Sequence, residues 1–487
     1  MASRIGGYSA TALICASCLA WDFAKAADLG GNCCADLEER VADLEATTAD
    51  KGNKKVTVTL YGRINRIVNF WDDGAETNTY TLNSSYSPSR YGLRGEAKIG
   101  GAWTAGYNIE LEDNGNLSKF VDQFNDNQNN GVTLVRRSAL YVDNEKLGRV
   151  TWGLWSEAKD DITKDNVIIK GLDQTMHADF YMNWSFFLRP KGSQFENAEG
   201  LSGIRYLDIG RCYSTANSAF DCSTRRNLVR YDTPEWYGFV GSASWGEDDV
   251  WSASLRYTAD WGKTWKIAAG VAYEDFTDEG FNNGGGGVPF QGFRRDMKEW
   301  AGMVSIIHKP TGLFLWPAFS TSEDDDKGAV GWLTGRKPPL MHAWDIAAGI
   351  HRSWIDLGKT TFWGGYTQDF NGIGGFTRNS GDPSRAVWDG RVDAFNPATR
   401  SGQFIPGIDV PSEITGAETT KWYLAVDQAI DSTAMDLYMA YQHIEPEIDL
   451  VSRLDRDGVF SETGKLKKVP VSLTDFDVFW TGARIQF

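Results

Sequence analysis

Residues 251–260, WSASLRYTAD, and 264–276, TWKIAAGVAYEDF, alternate between two kinds of side chain. Trp251, Ala253, Leu255 and Tyr257 take one face, and Trp265, Ile267, Ala269, Val271 and Tyr273 continue it. Ser252, Ser254, Arg256, Lys266, Ala268 and Gly270 take the other. A period of two is β-strand geometry, because successive side chains leave opposite faces. An apolar face with aromatic anchors, backed by a small and polar face, suits a strand standing between lipid and water.

The same alternation recurs along the chain. Val56, Val58, Leu60 and Ile64 alternate with Thr57, Thr59, Tyr61 and Arg63, and Tyr91 and Leu93 with Arg94 and Glu96. Strand centres are expected near residues 62, 94, 107, 138, 152, 229, 241, 254, 270, 303, 316, 346, 364, 424, 439 and 481. Short turns, such as Gly100-Gly101 and Asp232 to Glu235, take turns with longer polar intervals near 113–130, 277–296, 321–340 and 371–417. That rhythm belongs to outer-membrane barrels, with short periplasmic turns and long external loops. Lipid tolerates no open sheet edge, so the last strand must pair with the first, and termini on one side require an even count. The expected fold class is all-β, a 16-stranded antiparallel transmembrane β-barrel. Eighteen strands is the alternative, if FYMNWSFFL (180–188) and GIRYLD (203–208) form a further pair.

Composition agrees. The 487 residues include 52 glycines, 20 tryptophans, 18 tyrosines and 25 phenylalanines but only 14 prolines. A net charge of -16 offers no general attraction to nucleic acid, so no nucleic-acid partner is expected. Beyond the first segment no run approaches eighteen apolar residues, which excludes a transmembrane helix.

The amino-terminal region reads differently. Arg4, the apolar run Ala10 to Ala20 and the Ala24-Lys25-Ala26 site read as a signal peptide over 1–26. Over 27–54, Leu37, Val41 and Leu44 follow coiled-coil spacing between charged positions, which predicts a short N-terminal periplasmic helix. Such a helix could touch peptidoglycan. Residues 55–487 would then be the barrel.

Export bears on the cysteines. Cys15 and Cys18 fall in the signal, and Cys33 and Cys34 are adjacent. Cys212 and Cys222 sit in one long interval, and an oxidising compartment favours a disulfide between them. A metal site would need clustering that the scattered His177, His308, His342, His351 and His443 lack. No cofactor is required. The external acidic tracts Glu323 to Asp326 and Glu247 to Asp249 are candidate calcium positions, though neither has EF-hand spacing. Neither G-x-S-x-G nor HExxH occurs, and Gly284 to Gly287 lack the Lys-Ser/Thr of a phosphate loop, so no enzyme is expected.

Three stretches carry a family resemblance. CCADLEERVADLEATTADKGNKKVTVTLYGRINRIVNFWDDG (33–74), RRNLVRYDTPEWYGFVGSASWGEDDVWSASLRYTADW (225–261) and DFDVFWTGARIQF (475–487) resemble the porins of alphaproteobacteria, especially the rhizobial group. The resemblance spans essentially the whole mature chain. It implies a homotrimeric general-diffusion channel for small hydrophilic solutes and ions, set among outer-membrane lipids and lipopolysaccharide. It also implies that Phe487 is recognised during barrel assembly. A substrate-selective channel for sugars, oligosaccharides or small organic anions is the alternative.

The resemblance further implies a long external loop folded inward, matching about 157–225. Glu157, Asp160, Asp161 and Asp165 open that interval. Alternation assigns Arg63, Arg94, Arg149, Arg230 and Arg256 to the lumen. Acids facing arginines across a narrow pore would make a transverse field that orients dipolar solutes.

Overall fold

The computed structural model describes residues 56–127, 129–164, 166–168, 183–191, 204–210, 225–280, 294–325, 331, 333–373, 391–392, 412–458, 461 and 463–487. The first half of the sheet runs β1 (Thr59–Asp72), β2 (Thr77–Asn83), β3 (Arg90–Gly100), β4 (Trp103–Gly115), β5 (Asn129–Asn144), β6 (Gly148–Ser156), β7 (Arg225–Asp232), β8 (Phe239–Gly246) and β9 (Trp251–Trp261). It continues through β10 (Trp265–Gly280), β11 (Arg294–His308), β12 (Leu313–Asp324), β13 (Met341–Ile355), β14 (Gly358–Phe370), β15 (Arg391–Val392), β16 (Ser412–Ile430), β17 (Met435–Leu454), β18 (Lys465–Val469) and β19 (Phe476–Gln486).

Sixteen of these strands close a ring, each antiparallel to its neighbours: β1, β3 to β14, β16, β17 and β19. Closure runs from Arg63 opposite Gln486 to Asp72 opposite Asp477. Every expected strand centre falls inside one of the sixteen. The sheet nevertheless holds nineteen segments, because β1, β16 and β17 each gain an extra short partner, β2, β15 and β18.

Two parts of the expected fold need correction. The eighteen-strand alternative is not adopted: Phe187 and Arg205 make a single antiparallel bridge, and the chain then turns into a four-residue helix, α1 (Tyr206–Ile209). This piece buries Phe186 and Tyr206 against the lumen-facing Phe476 and adds nothing to the ring. The expected amino-terminal helix is likewise no part of the described fold. Residues 27–54, like the expected signal, lie outside the described residues, and among those described α1 is the only α-helix.

The two faces separate as alternation requires. Leu255, Val271, Val304, Leu315, Ile346, Leu424 and Leu437 stand exposed on the outer surface. Ser252, Ser254, Glu274, Glu299, Ser320 and Asp345 are buried on the inner one. An apolar band outside and polar side chains inside is the arrangement that a lipid solvent selects.

One external connection departs from the expected rhythm. β8 and β9 are joined by only a tight turn, Glu247–Asp249, closed by Gly246 N–H donating to Val250 O at 3.0 Å. Every other connection between ring strands at that end is longer.

Candidate pore constriction

The long loop leaves β6 at Ser156 and bends into the ring, where the wall grips its main chain. Arg230 Nη1 donates to the carbonyls of Ser156 at 3.3 Å and Glu157 at 3.0 Å. Arg256 donates through Nη1 to Ala158 O and through Nη2 to Asp160 O, both at 2.9 Å. The inward serines complete the seat. Ala158 N–H donates to Ser244 Oγ at 2.9 Å and Ser252 Oγ at 3.0 Å, and Ser254 Oγ donates to Ala158 O at 2.7 Å.

Three further contacts hold the next turn. Lys159 Nζ reaches Glu299 Oε2 at 2.8 Å and Glu274 Oε2 at 3.1 Å, with all three side chains buried. Ile162 lies against Gly270, where a Cβ would stand 2.7 Å from Ile162 Cδ1, so a larger residue there would push the Ile162 side chain aside. Val167 N–H donates to Ser305 Oγ at 3.3 Å.

A second anchor stands at β1 and β19. Phe186 packs edge-on against Trp71 at 5.0 Å and Phe476 at 5.3 Å between centroids, and Arg189 Nη2 pairs with Asp73 Oδ2 at 2.7 Å. A disulfide between Cys212 and Cys222 is the tie that the sequence leads one to expect for this loop. That expectation is corrected: Cys212 and Cys222 lie outside the described residues, and no disulfide occurs among those described.

The expected constriction residues separate into two groups. Arg149, Arg230, Arg256, Asp160 and Asp161 meet around one cavity of about 580 Å³, together with Arg137, Trp155, Asp143 and Asp232. Arg63 and Arg94 stand elsewhere: Arg63 Nε donates to Pro88 O at 3.2 Å, and the Arg94 guanidinium lies 5.4 Å over the Tyr61 ring. Asp165 lies outside the described residues.

The acids do not face the arginines across open water. Glu157 pairs directly with Arg226, Asp160 with Arg225 at 3.3 Å and Asp161 with Lys164 at 3.7 Å. Burial alone would raise the Asp161 carboxyl, but Lys164, Arg225, Arg136 and Arg137 hold it well below the usual carboxylate range. Its backbone is left-handed at φ 62°, a conformation that aspartate tolerates better than most side chains.

Alternation missed Arg136 and Arg137. Glu110 faces Arg137 and Leu111 faces Val135, so Arg136 is an extra, bulged residue, and both arginines reach lumenal partners. Arg136 pairs with Glu110 and Glu112, each at 2.8 Å, while the Arg137 guanidinium lies 4.7 Å over the Trp155 ring. Adjacent arginines within an alternating strand were the available signal.

Lumen-side aromatics are also present. Trp316, Trp363, Tyr423, Tyr438 and Trp480 lie on β12, β14, β16, β17 and β19, none more than 4% exposed. Among the described residues, no group of three or more His, Cys, Asp or Glu side chains is placed to hold a metal ion.

A closed barrel with an inward-held loop and a charged lumen defines a membrane channel. The chain belongs to the Gram-negative porin family, whose pattern matches residues 10–449. It is thus a transport protein of the Gram-negative outer membrane and not an enzyme.

Among solved structures it is similar to an anion-selective porin from Comamonas acidovorans, at 14% identity over 89% of this chain and 100% of that one, with a TM-score of 0.49. It is also similar to in-vitro folded OmpT of Vibrio cholerae (14% identity, 90% and 99% covered, TM-score 0.46). The outer membrane channel DcaP of Acinetobacter baumannii is a third (11% identity, 90% and 100% covered, TM-score 0.44). No curated protein matches the chain.

Proposed function

We propose that this porin is a general-diffusion channel, passing small hydrophilic solutes and ions through a water-filled lumen. The observation that carries this reading is the cavity beside the inward loop, lined by side chains of both charge signs. Ions of either sign find partial compensation there for lost water, and apolar solutes find none. A sugar-selective channel would need exposed aromatic faces along the lumen, whereas Trp316, Trp363 and Tyr423 are covered. Planar-bilayer recording tests the reading. Ohmic steps without block by any sugar are expected, and block by one sugar alone would favour the selective alternative.

The proposal includes a homotrimer among outer-membrane lipids and lipopolysaccharide. Arg66 and Asp113 pair at 3.0 Å with both side chains about half exposed on the outer face. Arg66 stands between the outward, exposed Ile64 and Phe70 on β1, so the pair sits within the apolar band. An arginine facing hydrocarbon there costs about 2–4 kcal/mol, and a second copy covering this face removes that cost. The runs 33–74, 225–261 and 475–487 support placing the chain with rhizobial-type porins. Phe487 fits the part of an assembly signal: it exchanges two backbone hydrogen bonds with Gly62, at 2.9 and 3.0 Å, extending the β1–β19 seam.

A further inference from the structure

We propose that Arg137 is a carboxylate-reading residue of this pore, and that the cavity it shares with Trp155 takes small organic monocarboxylates in preference to other anions of similar size. The inference rests on the channel reading above and names a solute class within it.

The charges around the cavity are mostly engaged. Arg149 pairs with Asp143 at 2.9 Å, Arg230 with Asp232 at 2.8 Å and Arg225 with Asp160 at 3.3 Å. Arg136, beside Arg137 in the chain, is held by Glu110 and Glu112. Among the described residues Arg137 makes no hydrogen bond and no ion pair, and its buried Nε has no partner there. Leaving a buried donor unmet is costly, so a folded chain that keeps one at a solute cavity needs a reason for it.

Two features keep the group in this state. The bulge at Arg136 turns both arginines inward and assigns the neighbouring glutamates to the first of them. The second guanidinium then lies over the Trp155 ring, its Cζ 4.7 Å from the ring centroid. A planar guanidinium carries its donors in a fork that matches a carboxylate through two parallel hydrogen bonds. A halide offers the fork a single acceptor atom, and a tetrahedral oxyanion that enters it through two oxygens carries its third oxygen and its ring out of the guanidinium plane, where benzoate stays coplanar. A cavity of about 580 Å³ accommodates a carboxylate bearing a ring. Asp160 and Asp161 line the same cavity and oppose a second negative charge on the solute, which is why the proposal is confined to monocarboxylates.

The test uses the full chain in planar bilayers, with sodium benzoate and sodium benzenesulfonate as matched probes of chloride current. Wild type is expected to be blocked at lower concentration by benzoate than by benzenesulfonate. Arg137→Gln should abolish that difference and lower the chloride to potassium permeability ratio by about threefold. Arg137→Lys should keep the ratio while losing the benzoate preference, because lysine retains the charge without the fork. Unchanged benzoate preference in Arg137→Gln, at wild-type conductance, overturns the proposal. Should Arg137→Gln yield no channels, Arg137→Lys decides: a retained preference overturns the proposal and a lost one supports it. A wild-type chain that conducts nothing removes the channel reading and this inference with it, whereas a conducting wild type without benzoate preference removes only the inference.

Discussion

Lys159 Nζ stands 2.8 Å from Glu299 Oε2 and 3.1 Å from Glu274 Oε2, in a pocket of the barrel wall closed to water. Removing the cation strands two buried carboxylates, and breaking a buried pair from one side costs about 3–5 kcal/mol. Lys159→Met is therefore expected to lower the thermal unfolding temperature and to make single-channel current noisy as the loop loses its seat. The triple variant Lys159→Met, Glu274→Gln, Glu299→Gln should recover most of both. Quiet current and unchanged unfolding in Lys159→Met would show that the loop is held elsewhere.

Neutralising the loop acids should raise relative anion permeability. Asp160→Asn with Asp161→Asn frees Arg225 and Lys164 from their partners and leaves side-chain volume almost unaltered. Asparagine also accepts the left-handed backbone at position 161. Reversal potentials across a salt gradient should shift toward the anion value, and the shift should shrink near 1 M salt, where the screening length is about 3 Å. The same potentials in wild type and variant would mean that these carboxylates do not reach the conduction path.

The charge on Asp161 should outlast acidification. Its carboxyl is held well below the usual range, so the ionised form persists to lower pH than for a free aspartate, and is lost only as pH falls through the depressed value. Near pH 4, where an ordinary aspartate at about 3.9 is half protonated, the difference in reversal potential between wild type and Asp161→Asn should remain as large as at pH 7. A difference that halves by pH 4 would place Asp161 in ordinary solvent.

The Arg66–Asp113 pair on the outer face tests assembly. Arg66→Glu sets two acids side by side where a neighbouring copy is proposed to pack, and should shift mass in mild detergent from trimer toward monomer. Arg66→Leu with Asp113→Leu keeps the face uncharged and should give a monomer that stays folded. A trimer of wild-type heat resistance in Arg66→Glu would move the interface to another face.

Most of the ring could be read from alternation, because a strand between lipid and water must segregate its side chains at every second position. For the same reason Arg230 and Arg256 were assigned to the lumen, where they bind the loop. Alternation fails where a strand stops obeying its period. The bulge at Arg136 shifts the register by one residue, which no count of twos can anticipate. It is silent about loops too. Lys159 reads as one more charge in an acidic run, and its burial depends on glutamates more than a hundred residues away. The acidic run 247–249, a candidate calcium position by sequence, carries no mark there of being a tight turn, because its residues look like those of any solvated loop.

The grip of Arg230 and Arg256 on the carbonyls of residues 156, 157, 158 and 160 has an evolutionary consequence. Carbonyl oxygens are common to all twenty amino acids, so these attachments do not depend on which side chains the segment carries. Substitution at 160, whose side chain lines the cavity, can alter what the passage admits while the ribbon that presents it stays in place. A lineage with this architecture can therefore adapt to new nutrients or toxins by changing single codons in a fixed mount, without redesigning the vessel around it.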